Sequence, residues 1–334
     1  MQASKNIITD LKNGTIHPIY FLSGEEPYFI DVISDYIEHN LLDESEKGFN
    51  QIILYGRDVT IDDIVSNAKR YPMMAERQVV IVKEAQDLTR TIDKLSAYID
   101  NPQPTTVLVL CYKYKKLDKR KPLYKALQKK GVFYEGKRLY ENQVSSWIQK
   151  TLHEKGYTIH PKAAHMLVEF LGTDLSKINN ELEKLGLILP EGSAITPEII
   201  EENIGISKDY NNFELRKAVG QRDILKAQRI AQYFVQNPKD NPLVVTIGTL
   251  FSFFSQLLQY HGLPSKDKST VAKTLRINPY FVEEYATAAR NYPMKKVSRV
   301  IALLREADMK GKGVDASTFA TADILKELLV RVMG

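Results

Sequence analysis

At 334 residues, with 43% hydrophobic and 26% charged side chains, the chain has the make-up of an ordinary globular protein, long enough for two or three packed domains. A single cysteine, Cys111, excludes an internal disulfide framework and a cysteine-based structural zinc site, and points to the reducing cytoplasm. The net charge of +5 is mild, and the opening MQASKNIITDLKNG has neither an apolar h-region nor a cleavage pattern, so no signal peptide is expected.

The first elements alternate between strand and helix patterns. Pro18 to Leu22 reads as an apolar strand closed by Ser23-Gly24, and helical spacing follows through Tyr28, Ile30, Ile33, Ile37 and Leu41. Phe49 to Tyr55 reads as a second strand, and Ile61, Ile64, Val65 and Ala68 form the apolar face of a short helix. Gln78 to Val82 and Thr105 to Tyr112 are further strands; Leu123 to Lys130 suits a helix and Val132 to Tyr134 a last strand. Near-continuous Val/Ile/Leu strands separated by helices predict an α/β domain over residues 1–140, with a mostly parallel sheet covered on both faces.

Beyond Tyr140 the pattern is helical. Val144 to Tyr157, Pro161 to Leu171, and a segment capped by Thr173 or Asp174 and carrying Leu175, Ile178, Leu182 and Leu185 make a small helical domain, 141–208. Ser207 to Asn212 reads as a hinge, after which about five helices are expected in a larger helical domain, 209–334. Asn241 to Ser265 contains no Asp, Glu, Lys or Arg. Thr246, Thr249, Ser252, Ser255, Gln256 and Gln259 run through it as a weakly polar stripe, which favours a helix buried in a protein assembly over a membrane span.

An α/β domain followed by helices suggests a nucleotide-driven machine, whose phosphate-binding loop belongs between the first strand and the first helix. The chain has FLSGEEPYFID there: one glycine, no Gly-Lys-Ser/Thr, and Glu25 and Glu26, which would repel a triphosphate. The strand QVVIVKEA places Lys83 where a metal-binding Asp is expected. Gly131 to Arg138 mimics the loop's glycine spacing by chance; Arg138 offers no hydroxyl for Mg²⁺ and the intervening residues are strand-like. No G-x-S-x-G elbow and no HExxH motif occur, and His160 and His165 are five apart, the wrong interval for paired ligands on a helix face. No catalytic site, ATPase activity, metal or cofactor is expected.

Two features suggest binding instead. Tyr71-Pro72-Met73-Met74-Ala75-Glu76-Arg77 places adjacent methionines in a proline-marked loop, where large apolar side chains are unusual. They read either as an exposed plug for a partner's apolar pocket or as a cap on the domain's own core, and the residues alone leave both open. Between Lys113 and Arg138, eleven Lys/Arg accompany two acids, net +9. A polyanionic partner and a solvated helix face both account for that run. If DNA is the partner, Lys115, Lys116, Lys119 and Arg120 are the candidates to face it.

Taken in order, these segments resemble the delta subunit family of the bacterial DNA polymerase III clamp loader. PIYFLSGEEPYFIDVISDYI is similar to the family's opening strand, turn and helix, and FNQIILYGRD to its second strand. AKRYPMMAERQVVIVKEAQDL resembles its Pro-Met-hydrophobic segment, and TTVLVLCYKYKKLDKRKPLYKALQKKGVFYE its Asp-Lys-Arg and Leu-Tyr-Lys stretch. LGTDLSKINNELEKL, the most specific match, resembles its lid helix, and EADMKGKG its closing element.

The resemblance implies an AAA+-like fold: a RecA-like domain without a functional P-loop (1–140), a helical lid (141–208) and a helical collar (209–334). It implies a role in DNA replication, binding and opening the sliding clamp (beta), with gamma/tau and delta-prime as collar partners and primer–template DNA within the complex. It assigns the clamp contact to Met73 and Met74, with Pro72, Ala75 and Arg77 flanking. The family commonly has Phe where this chain has Met74, which trades aromatic rigidity for a flexible thioether. The competing readings are a stand-alone nucleic-acid-binding protein using 113–138, an ATPase subunit of the same machine, and the related delta-prime subunit. The missing P-loop opposes the second, and the absent zinc-ligating cysteines together with the Pro-Met-Met plug oppose the third.

Overall fold

The computed structural model describes residues 2–314 and 321–334, which divide into two compact units meeting in sequence at Leu139 and Tyr140. In the first unit the elements run α1 (Gln2–Lys12), β1 (Ile19–Gly24), α2 (Pro27–Asn40), α3 (Glu44–Asn50), β2 (Gln51–Tyr55), α4 (Ile61–Ala68), β3 (Gln78–Lys83), α5 (Ser96–Asp100), β4 (Thr106–Lys113), α6 (Pro122–Lys130) and β5 (Val132–Gly136). All five strands are parallel, in the order β2-β3-β4-β1-β5. Parallel neighbours require crossover connections, which the intervening helices and turns supply.

Burial explains the near-continuous apolar strands. β1 is buried at every position, and β3 and β4 at all but their terminal lysines. Ile19, Phe21, Val80, Val82, Leu108 and Leu110 face a core closed by Ile61 and Ile64 of α4 and Leu123 and Leu127 of α6. The alternate residues Tyr20, Leu22, Val79, Ile81, Val109 and Cys111 are buried too, on the side where α2 lays Phe29, Ile30, Ile33 and Ile37. Cys111 sits within this packing, and burial pushes its thiol up to about 12.

Two elements differ from the sequence reading. Helix α1, not anticipated, buries Ser4, Ile7 and Leu11 at helical spacing and packs on α2. Phe49 and Asn50 belong to α3 rather than to a strand, because Glu46 Oε2 accepts from Asp43 N–H at 3.1 Å and starts a helical turn just ahead of β2.

Among the described residues the second unit is helical except for a two-residue parallel pair, β6 (Thr158–Ile159) with β7 (Ala194–Ile195), too short to leave an alternation signal. Its helices are α7 (Glu141–Glu154), α8 (Pro161–Leu171), α9 (Leu175–Ile188), α10 (Pro197–Ile204), α11 (Asn212–Gln221), α12 (Ile224–Gln236), α13 (Leu243–Gly262), α14 (Lys268–Leu275), α15 (Val282–Asn291), α16 (Met294–Gly311) and α17 (Thr321–Met333). Beyond residue 209 the described residues thus form seven helices instead of about five.

Asp174 caps α9, accepting from the amides of Ser176 and Lys177, both at 3.1 Å. The uncharged α13 is long and apolar enough to cross a membrane by composition. In this fold Thr246, Ile247, Leu250, Phe253, Phe254, Leu257 and Tyr260 form its buried stripe, at the centre of the core shared with α11, α15 and α16.

Segment 207–212, read from sequence as a hinge, is tied down. Asn211 Nδ2 donates to Ser207 O (2.7 Å), Glu169 Oε2 of α8 accepts from Phe213 N–H (3.1 Å), and Lys162 pairs with the buried Glu214 (2.7 Å).

Candidate docking site

The β1–α2 junction, where a phosphate would sit on a helix N-terminus, is closed by the chain itself. Gly136 O accepts from the amides of Glu25 (2.9 Å) and Glu26 (3.4 Å), Pro27 has no N–H, and Glu26 Oε1 caps Tyr28 N–H at 3.3 Å. Gly24, at φ +129°, lies so close to Gly136 that a Cβ would stand 2.1 Å from that carbonyl oxygen. The contact requires glycine.

The strand ends beside this junction carry ion pairs. Lys83, in the place expected of a metal-binding Asp, pairs with Glu38 at 2.9 Å. Lys113 lies between Asp31 (2.8 Å) and Glu84 (3.1 Å). Burial alone would lower the Lys113 ammonium, but these two carboxylates hold its pKa well above the usual lysine value.

The methionine loop follows α4, whose last carbonyls are collected by two buried side chains. Tyr98 hydroxyl donates to Ala68 O (3.1 Å), and Gln78 Nε2 donates to Asn67 O (3.1 Å), to Arg70 O just past the helix (2.6 Å) and to Thr106 Oγ1 (2.8 Å). Past this anchor the chain turns outward. Tyr71 is 77% exposed, Met73 53% and Met74 fully exposed, so the methionines stand in solvent instead of capping the core. Met74 adopts a left-handed φ of +54°, which an L side chain takes only against a steric cost of about 1–2 kcal/mol. Pro72, Ala75 and Arg77 are half-buried around the pair, and Arg77 lies 3.5 Å from Glu76.

The loop is held at its tip by Asn50, buried at the end of α3. Its Oδ1 accepts from Met73 N–H (2.6 Å) and its Nδ2 donates to Met73 O (2.9 Å). Sequence reasoning missed Asn50, because its partner lies in another element.

The basic stretch is less free than its composition suggests. Lys116 pairs with Glu25 (3.0 Å), Lys119 with Glu135 (2.8 Å), Arg120 with Asp118 (2.8 Å) and Lys121 with Asp93. Lys115 donates to Thr89 Oγ1 (3.0 Å) and Gln86 O (3.3 Å). Hydrogen bonds from Arg120 hold the Asp118 carboxyl down at about 2. All four proposed DNA-facing cations therefore have partners within the same unit. Lys125 and Lys129 on α6 are exposed.

Comparison with known proteins agrees with this architecture. The sequence profile of the family described as DNA polymerase III, delta subunit, matches residues 20–137, and that of the DNA polymerase III delta subunit, C-terminal domain, matches 209–325. The DNA polymerase III subunit delta of Bacillus subtilis (strain 168) is 28% identical over 312 residues, 90% of each chain. The solved structure of the Bacillus subtilis DNA clamp loader delta protein superposes over 99% of each chain with a TM-score of 0.56 and 25% identity. A five-stranded parallel sheet whose β1–α2 junction is closed by the chain itself, followed by a helical unit, is what these matches span, and the chain belongs to the delta subunit family of the bacterial DNA polymerase III clamp loader.

Proposed function

We propose that this chain is the subunit of its clamp loader that grips the DNA sliding clamp and holds it open, and that Met73 and Met74 are the gripping residues. The observation that carries the reading is an exposed apolar pair at the tip of an anchored loop, Met74 wholly and Met73 about half in solvent. Such side chains are stabilised by an apolar pocket on a partner, and burying both contributes roughly 3–6 kcal/mol gross. Spent on one clamp conformation only, that energy favours a ring that is not closed. Pro72, Ala75 and Arg77 flank the contact.

The chain acts by binding and does not hydrolyse ATP. Its own carboxylates and the Gly136 carbonyl occupy the groups that a triphosphate and Mg²⁺ would need. Neighbouring gamma/tau subunits supply the ATP-dependent step that exposes the plug, and residues 209–334 form the collar that assembles with them and with delta-prime; 141–208 is the lid. Primer–template DNA is met within the assembled cytoplasmic complex. Internal pairing of Lys115, Lys116, Lys119 and Arg120 weighs against a stand-alone nucleic-acid-binding role. The test is co-purification of the chain with its own organism's sliding clamp without ATP. Stable capture supports the reading, and no capture at micromolar concentrations rejects it.

A further inference from the structure

The methionine loop is short of regular structure, yet both main-chain hydrogen-bonding groups of Met73 are consumed by one side chain 23 positions earlier. Asn50 is 1% exposed, and its amide is fully used: Oδ1 takes Met73 N–H, one Nδ2 hydrogen goes to Met73 O, and the other goes to Glu46 O at 3.1 Å. This two-point pairing imitates what a neighbouring strand would offer an extended residue. A second tie, from Gln78 to Arg70 O, fixes the chain three residues earlier, and Pro72 restricts φ between the two. The next residue, Met74, is then turned into the left-handed region with its side chain wholly in solvent.

We infer that Asn50 is a positioning residue for partner docking: its side-chain amide clasps Met73 and presents the two methionines already in their bound geometry. The inference rests on the docking role proposed above for Met73 and Met74. Without the clasp, Met73 N–H and C=O turn to water, the strained φ at Met74 relaxes, and the loop samples many conformers. Apparent affinity then falls in proportion to the competent fraction, chiefly through slower association. Asparagine suits the task because it alone offers donor and acceptor at this reach; aspartate keeps the acceptor and loses both donated bonds, and alanine loses everything.

The experiment uses the full chain and its own sliding clamp, with association and dissociation rates measured for the native protein, Asn50→Ala, Asn50→Asp, and Met73→Ala/Met74→Ala. The expected result for Asn50→Ala is about tenfold weaker binding carried by the association rate, with Asn50→Asp intermediate and Met73 amide hydrogen exchange faster in both. On a Met74→Ala background the Asn50→Ala change should cost clearly less than tenfold, because a residue that works through the plug has less left to position. Should Asn50→Ala fold poorly, the near-isosteric Asn50→Asp carries the same test. Native-like binding by the Asn50 variants, with binding lost in Met73→Ala/Met74→Ala, overturns the positioning role and leaves the docking site standing. Native-like binding by the methionine variant overturns the docking site itself.

Discussion

Glu169 illustrates how far one residue can be shifted by its place in the fold. Burial pushes its carboxyl up to about 7, against a nearby Arg216 and the Phe213 amide, which both favour the charged form. Between the ordinary value of 4.5 and about 7 the folded chain therefore holds a proton that the unfolded chain has released. The contribution of Glu169 to stability therefore falls as pH rises through that window and levels off above it. His165, pushed down to about 3 by burial with Arg216 adding to the effect, contributes with the opposite slope below about 6.5. Comparison with Glu169→Gln isolates the carboxyl. Denaturant melts from pH 4.5 to 7.5 should show the native protein losing on the order of 2–3 kcal/mol relative to that variant; parallel profiles would contradict the assignment.

At this scale the sequence was legible where a residue type was out of place. Two thioethers in a proline-marked loop were such a signal, although their exposure was not. Asn50 carried no signal, since an asparagine between a helix and a strand is common and its value comes from a bond to Met73 in another loop.

Among the elements, the central strands were readable because β1, β3 and β4 are covered on both faces and need no alternation. What failed were boundaries and short pieces: α3 takes Phe49 and Asn50, and β6 and β7 have two residues each. The basic stretch shows a deeper limit. Its charge could be counted, but Glu25, Asp31, Glu84 and Asp93, which neutralise part of it, come from other elements. Lys113 is the most enclosed of these cations, with its side chain 15% exposed. Lys113→Met should leave Asp31 and Glu84 facing each other and cost about 1–2 kcal/mol in thermal or denaturant melts. Lys116→Ala, an exposed pair, should change stability by less than about 1 kcal/mol. Equal effects at the two sites would contradict this ranking.

The molecule as a whole joins a five-stranded parallel sheet to a helical unit, and its β1–α2 junction is closed by a glycine carbonyl and flanked by lysine–carboxylate pairs. Calorimetric titration of the isolated chain with Mg-ATP should give no saturable binding at millimolar nucleotide; a stoichiometric isotherm would contradict the reading of the β1–α2 junction. The clamp contact is a separate claim and rests on the two exposed methionines. Its most direct measurement is the dissociation constant for the organism's own sliding clamp, without nucleotide, of the native chain and of Met73→Ala/Met74→Ala. At least a hundredfold loss is expected for the double variant, whose melting temperature should stay within a few degrees because neither side chain supports the core. Equal affinity of the two proteins would contradict it.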